Sequence, residues 1–147
     1  MSQEQIDLDS SIGYALKQTA TALRGAMDAA LRPLALNVSQ YSCLELLRQR
    51  PGLSASDLAR STFVTRQSMQ TLLQGLQERG LLTRPTTAPQ GRALPTEITA
   101  DGARLLARAS AAVADVETRM LRDLSPTART RFLRDLASCT AALGDGA

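Results

Sequence analysis

Histidine and tryptophan are absent from this chain of 147 residues, and cysteine occurs only twice, as Cys43 and Cys139. Without histidine the chain lacks the commonest general base and the commonest nitrogen ligand for metals. Two cysteines are too few for a zinc site or a disulfide framework, so we expect no metal and no cofactor. No serine has a histidine partner, and no glycine-rich stretch is typical of a phosphate-binding loop, which argues against an enzyme.

Long apolar runs are also missing, since no segment reaches the roughly 18 apolar residues that a membrane-spanning helix needs. The N-terminus is polar and acidic and does not resemble a secretory signal, so we expect a cytoplasmic protein without a membrane partner. Apolar residues make up 44% of the sequence, but aromatic residues make up only 3%. The core must therefore be built from Leu, Ala, Val and Met, which favours packed helices over a β-sandwich.

A helix-turn-helix pattern begins at Ser54. Ser54 and Asp57 have the spacing of a helix N-cap and the side chain that bonds back to it, and they predict a short helix. Thr65 is a second N-cap. The apolar residues after it recur at spacings of three and four, which indicates the buried face of a helix, and they are Met69, Leu72, Leu73 and Leu76. Gly80 follows as the expected left-handed stop.

The opposite face of this second helix is polar, and it carries no acidic residue before Glu78. A guanidinium, amides and hydroxyls on this face can donate to phosphates or read base edges in a DNA major groove; they belong to Arg66, Gln67, Ser68, Gln70, Thr71 and Gln74. The caps Ser54 and Thr65 are also predicted to contact phosphates, since a helix start favours anions. For the helix taken alone, an ordinary solvated surface stays open as the alternative.

A small hairpin is predicted directly after this helix, with residues 82–87 and 93–98 as strands around the loop 88–92. A helix-turn-helix followed by a basic hairpin is a winged helix, whose second helix enters the major groove. The wing then reaches the adjacent DNA backbone or the minor groove. Arg84 and Arg92 are the predicted DNA contacts of this wing.

The chain resembles the MarR type of bacterial transcription regulator, most specifically between residues 54 and 102. The matching pieces are SASDLARSTFVTRQSMQTLLQGLQERGLLTR, the wing segment QGRALPTEIT and the helix start ITADGARLL. The resemblance implies a DNA-binding regulator, usually a repressor, that responds to a small aromatic or phenolic effector. The wing of that family usually carries Asp-x-Arg. Arg92 occupies the arginine position, but Gln90 replaces the aspartate and cannot pair with it.

The charge distribution agrees with this interpretation. The formal net charge is only +3, but between residues 60 and 96 five arginines accompany the single acidic Glu78. A local excess of positive charge is what a DNA-binding surface needs.

Long amphipathic helices are predicted on both sides of this region. The first starts near Ser11 and continues until Pro33 ends or bends it. The long helix on the other side runs from the Thr99 cap through Leu124. Pro126 then starts a final helix. The first helix is over-long for the core of one chain, so we expect a homodimer whose contacts include Ile12, Leu16, Val116, Met120, Phe132, Leu136 and Leu143. A monomer with a small terminal bundle is the alternative.

The predicted fold is therefore mainly α with a small β-hairpin wing. Residues 1–36 and 99–147 are expected to form a helical dimerisation region. Residues 37–98 are expected to form a winged helix-turn-helix domain, whose first helix begins at an Asn37–Gln40 capping pair. Two-fold symmetry would match a palindromic operator with half-sites about 10 base pairs, or roughly 34–36 Å, apart.

The resemblance also implies an effector crevice between the terminal helices and the DNA-binding domain. We predict Arg24, Leu31 and Tyr41 as lining residues, because a cation and a phenol beside an apolar seam suit an anionic aromatic molecule. Arg24 as a solvated side chain and Tyr41 as a core residue form the alternative. Two other functions stay open: a winged-helix module that binds protein, and a redox-responsive regulator that uses Cys43 or Cys139.

Overall fold

The computed structural model describes residues 5–84 and 96–144. Its helices are α1 (Ile12–Leu31), α2 (Val38–Gln49), α3 (Ala55–Thr62), α4 (Arg66–Glu78), α5 (Ala100–Met120) and α6 (Pro126–Gly144), with strands β1 (Leu82–Thr83) and β2 (Glu97–Ile98). Short 3₁₀ turns occupy Leu8–Ser10 and Arg32–Leu34. The predicted fold class, mainly helical with a small antiparallel hairpin, is confirmed. No helix within these residues is both long and apolar enough to cross a membrane.

The helices begin at the polar caps that the sequence predicts. Complete capping boxes start α2 at Asn37 and α3 at Ser54, because in each case the cap and the third helical residue bond to each other's backbone. The hydroxyls of Thr65 and Thr99 accept from the third helical amide and so start α4 and α5. Local hydrogen bonding therefore determines where the helix-turn-helix begins.

The corner between α1 and α2 spans residues 32–37, and we call it the α1–α2 corner. Pro33 lies in its 3₁₀ turn and Ala35 has a left-handed backbone with φ of 55°, so the chain reverses within a few residues. Asp28 on α1 supports the corner by accepting a hydrogen bond from the amide of Val38 at 2.9 Å. The prediction that Pro33 ends or bends the first helix is confirmed.

Helix α5 ends at Met120, so the prediction that it continues through Leu124 is wrong. The chain turns there instead, and Arg129 of α6 binds the carbonyl oxygens of Leu121 at 2.9 Å and Leu124 at 3.1 Å. A cation that satisfies carbonyls just beyond a helix end favours stopping the helix at that point.

Strands β1 and β2 pair antiparallel, with Leu82 opposite Ile98 and Thr83 opposite Glu97. This pairing joins the outer ends of the two predicted wing strands. Arg84 and Thr96 are described but lie outside the paired strands, and residues 85–95 of the predicted hairpin, including Gln90 and Arg92, lie outside the described residues.

The main core lies within the helix-turn-helix region and extends to α5 and to Leu31 at the end of α1. It is built mainly from leucine, together with Met69, Cys43, Ala59 and Ala109, as the low aromatic content predicts. Helix α1 packs along α5, and α6 contributes no buried residue to its own chain. The terminal helices consequently leave large apolar side chains on the surface.

Candidate nucleic-acid interface

The turn between α3 and α4 sets the direction in which α4 leaves the core. Phe63 ends α3 with a left-handed φ of 60°, and the amide of Val64 bonds back to the carbonyl of Ala59 at 3.1 Å. This bond closes the C-terminal end of α3. The side chain of Phe63 points outward and is 95% exposed.

Helix α4 separates an apolar face from a polar face. Met69, Leu73 and Leu76 are completely buried against the core. The six polar residues predicted to face DNA are all exposed, and they are Arg66, Gln67, Ser68, Gln70, Thr71 and Gln74. Because no described residue of its own chain covers this face, it can lie against a groove of suitable width. We call α4 the recognition helix below.

The N-terminal turn of the recognition helix carries free donors. Thr65 accepts from the amide of Ser68 at 3.0 Å and donates its own hydroxyl hydrogen to Ser68 Oγ at 2.9 Å. The hydroxyl hydrogen of Ser68 is therefore available to an outside acceptor. Among the ion pairs of residues 5–84 and 96–144, none includes Arg66. A helix start with an unpaired guanidinium is well suited to an anion.

Arg84 lies back on the recognition helix, which the sequence did not indicate. Its Nη1 donates to Gln70 Oε1 at 2.7 Å and its Nε donates to Gln77 Oε1 at 3.4 Å. The side chain of Arg84 is therefore already hydrogen-bonded to two amide oxygens in the absence of DNA, before it makes the predicted contact to the DNA backbone. The hydrogen bond from Nη1 orients Gln70 as well, since its oxygen is engaged and its NH₂ group can still donate outward.

Ser54 has less freedom to bind phosphate than the sequence suggested. Its hydroxyl donates to Asp57 Oδ2 at 2.9 Å and its amide donates to the same oxygen at 3.2 Å. These hydrogen bonds, chiefly the one from the hydroxyl, lower the pKa of Asp57, which also pairs with Arg60. Both donors of Ser54 are thus used by the cap, and a phosphate contact would require the capping box to open.

Two residues of this surface were missed by the sequence reasoning. Gln77 was not included because it lies beyond the polar stretch, although its spacing of seven from Gln70 places both on one helix face. Phe63 was read only as part of the turn, and no local pattern predicts that an aromatic side chain there is left exposed.

None of the three predicted effector residues lines the two grooves found along α1 among the described residues. Leu31 is completely buried in the core of the single chain. Arg24 is exposed on α1. A groove between α1 and the end of α5 is lined by other residues, among them Leu23 and Met120.

Tyr41 belongs to a polar link between α2 and α5. Its hydroxyl lies 3.4 Å from Ser110 Oγ, which in turn lies 3.4 Å from Glu45 Oε2. Hydrogen bonds, the largest contribution coming from Arg48, lower the pKa of Glu45 although partial burial opposes this shift. Tyr41 therefore lies partly buried at the seam between α2 and α5, where its hydroxyl is already close to that of Ser110.

Most of the predicted dimer residues are available on the surface. Ile12 is 82% exposed and Leu143 is 84% exposed. Leu16, Met120, Phe132 and Leu136 are exposed or half-buried. Val116 differs from the others, because it is only 7% exposed in the single chain and lines the groove between α5 and α1.

The two cysteines have opposite environments. Cys43 is buried in α2, and burial raises the pKa of its thiol to about 12. A thiol of this kind is inert, because the reactive form is the thiolate. Cys139 is exposed on α6. The redox alternative is therefore disfavoured for Cys43 by its surroundings.

Comparison with known proteins gives consistent matches over nearly the whole chain. A sequence model of the MarR family matches residues 36–93. The HTH-type transcriptional repressor Rv2887 of Mycobacterium tuberculosis is 40% identical over 128 residues, which cover 87% of this chain and 92% of that repressor.

Solved structures agree with the sequence matches. The M. tuberculosis MarR family protein Rv2887 in complex with DNA has a TM-score of 0.77 at 37% identity, over 89% of this chain and 98% of the other. Its complex with salicylic acid has a TM-score of 0.74 at 39% identity, over 89% and 97% of the two chains. CouR from Rhodococcus jostii RHA1, bound to p-coumaroyl-CoA, has a TM-score of 0.80 at 26% identity, over 92% and 95%.

Proposed function

This chain belongs to the MarR family, and from that premise we propose that it is a homodimeric, DNA-binding transcriptional repressor released by a small aromatic effector. The observation that carries the proposal is the exposed polar face of α4, whose opposite face is anchored in the core by Met69, Leu73 and Leu76. The fold therefore presents amides, hydroxyls and one unpaired guanidinium on a rigid helix, as base and phosphate recognition requires.

Within this proposal, the first two turns of the recognition helix contact base edges or phosphates. Arg66, Gln67, Ser68 and Thr71 are the principal contacts, and Gln70 and Gln74 are secondary ones because their side chains already bond to Arg84 and Glu78. Thr65 is a proposed phosphate contact, and Ser54 would be one if a phosphate replaced Asp57 as the acceptor of its two hydrogen bonds. Arg84 and Arg92 are proposed contacts to the DNA backbone or minor groove.

The proposed assignment of the chain to a dimerisation region and a DNA-binding domain follows the exposed apolar surface. Residues 1–36 and 99–147 would form the dimerisation region, because α1 and α6 leave Ile12, Leu16, Phe132 and Leu143 uncovered in the single chain. Residues 37–98 would form the DNA-binding domain. A symmetric dimer then presents two recognition helices to a palindromic site with half-sites about 10 base pairs apart.

An aromatic effector is proposed by analogy with the relatives, one of which was solved with salicylic acid and another with p-coumaroyl-CoA. In this chain Tyr41 is the best-supported contact, since it lies at the seam between α2 and α5, and Arg24 is a further candidate. An effector lowers DNA affinity only as far as it binds one arrangement of the dimer better than the other. We further propose that the protein is cytoplasmic and has no catalytic activity.

The proposal is tested first by selecting bound genomic fragments and measuring affinity for them against salt. If Arg66, Arg84 and Arg92 of both protomers reach phosphates, the log–log slope should be about −5, at about −0.9 for each contact. An affinity that is indifferent to salt, or absent for every fragment, would favour a module that binds protein instead. Repeating the measurement with a panel of aromatic acids tests the effector.

Single substitutions then separate base reading from phosphate binding. Gln67→Ala should change the preference at particular base pairs by about 1–3 kcal/mol, whereas Arg92→Ala should weaken binding to all sequences alike and make the salt slope less steep. Arg108→Ala, an exposed arginine on α5, is the charge-matched control and should change the slope little. If Gln67→Ala and Arg92→Ala both bind as the wild type does, the proposed surface is wrong.

A further inference from the structure

The C-terminal end of the recognition helix is tied to a distant part of the chain. Arg79 caps α4 and donates from Nη1 to the carbonyl oxygen of Ala35 at 2.7 Å and from Nη2 to that of Leu34 at 3.4 Å. Both acceptors belong to the α1–α2 corner. Because a guanidinium presents its donors as a rigid planar fork, two neighbouring carbonyl groups define its orientation as well as its position.

The corner that Arg79 binds is also held from α1. Asp28 Oδ1 accepts from the amide of Val38 at 2.9 Å, so α1 is bonded to the first residue of α2. Pro33 fixes its own φ, and the left-handed Ala35 completes the tight reversal of the chain between the two helices. A change in the direction of α1 relative to α2 therefore has to move the carbonyl groups of Leu34 and Ala35.

The residues that follow Arg79 are bonded to the start of α5. The hydroxyl of Thr99 donates to the carbonyl of Gly80 at 2.7 Å, and the amide of Thr99 donates to the carbonyl of Leu81 at 3.1 Å. The last residues of α4 thus lie between the two places where the chain passes between the dimerisation region and the DNA-binding domain. Arg79 provides the side-chain link on the α1 side.

From this arrangement we infer that Arg79 is a positioning residue, which sets the orientation of α4 through the α1–α2 corner and thereby the spacing of the two recognition helices. The inference rests on the proposed function, because it concerns how a DNA-binding dimer presents these helices. A rearrangement of α1 reaches α4 as a movement of the two carbonyl groups that Arg79 holds. The corner is then the physical element that both regions share.

The test compares three operators, namely the selected one and two versions whose half-sites are one base pair closer or farther apart. The wild type should prefer the selected spacing. In Arg79→Lys, which keeps the charge but loses the planar fork, this preference should fall by about fivefold or more, the lower end of typical couplings between sites. The salt slope should stay unchanged. Arg108→Lys is the control and should leave the preference intact.

A second variant tests the same corner from α1. Asp28→Asn weakens the bond to Val38 and should also reduce the spacing preference, and the double variant with Arg79→Lys should lose less than the sum of the two, because both act through one element. Circular dichroism establishes that each variant is folded.

Each contrary outcome has a distinct meaning. Equal losses on all three operators would reduce Arg79 to a residue that only stabilises the fold. A preserved preference, together with a salt slope less steep by about two for the dimer of Arg79→Gln, would make Arg79 a phosphate contact instead. Unchanged binding would leave it no role. A wild type that binds none of the operators would refute the proposed function itself, which a failure of Arg79→Lys alone would not.

Discussion

The close approach of α5 to the end of α4 leads to a prediction about Gly102. This residue is buried in the first turn of α5, and a Cβ atom added to it would lie 2.1 Å from the carbonyl oxygen of Leu81 and 2.8 Å from Ile98 Cγ1. The obstructing oxygen is backbone and accepts from the amide of Thr99 at 3.1 Å. Neither neighbour can therefore move away without disturbing a hydrogen bond or the hairpin.

We expect Gly102→Ala to destabilise the protein by roughly 1–3 kcal/mol, the usual cost of forcing extra volume into a packed site. This figure is a net value. Alanine is favoured over glycine in a helix by about 1 kcal/mol, but the substitution would weaken the hydrogen bond from Thr99 to Leu81, which costs a similar amount. The matched control is Gly75→Ala in α4, where an added Cβ meets nothing within 4 Å. That variant should be stabilised by up to about 1 kcal/mol.

Urea unfolding followed by far-UV circular dichroism measures both variants. All samples need one protein concentration, because the stability of a dimer depends on concentration. The two substitutions are chemically identical, so their opposite signs isolate the local surroundings of each glycine. A Gly102→Ala protein as stable as the wild type, or as stable as Gly75→Ala, would refute the close approach.

Three further predictions concern the stability of a Phe63 variant, the reactivity of Cys43 and the pH dependence of stability at Asp57. Phe63→Gly should raise the free energy of unfolding by up to about 1 kcal/mol, because a left-handed backbone costs a non-glycine residue about 1–2 kcal/mol. Part of this gain is lost, since glycine makes the unfolded chain more flexible. A less stable variant would contradict this expectation. In a Cys139→Ser variant, Cys43, which is buried, should stay unlabelled by a thiol reagent in the native protein and should react only on unfolding, as labelling with and without urea can establish. The lowered pKa of Asp57 adds stability above its unfolded pKa of about 3.9. That contribution is lost as the pH falls through the folded pKa, so urea midpoints measured during acidification should fall more for the wild type than for Asp57→Asn.

The parts of the fold that depend on neighbouring residues could be predicted from the sequence. The caps at Asn37, Ser54, Thr65 and Thr99 bond to residues three positions ahead, so their spacing contains the whole interaction. The same holds for the buried and exposed faces of α4, because a helical period determines which side chains share a face.

The parts that depend on distant contacts could not be predicted. Whether Val116 faces a partner or its own α1 depends on how α5 packs on α1, every residue of which is at least 85 positions away from Val116. Both helices are apolar patterns in the sequence. The bond from Arg79 to Ala35 spans 44 positions, and the bond from Arg84 to Gln70 requires β1 to pass beside α4. Arginine is compatible with ion pairs, phosphates and carbonyls alike, so its residue type alone does not identify its partner.

The two-sided build of α4 has an evolutionary consequence. Folding constrains Met69, Leu73 and Leu76, which are buried, whereas Gln67 and Thr71 are exposed. If these outward positions read DNA as proposed, a gene duplicate can change them and so bind new promoters while it keeps its thermal stability. Mutations that alter the DNA target and mutations that destabilise the fold would then fall at different positions of the same helix.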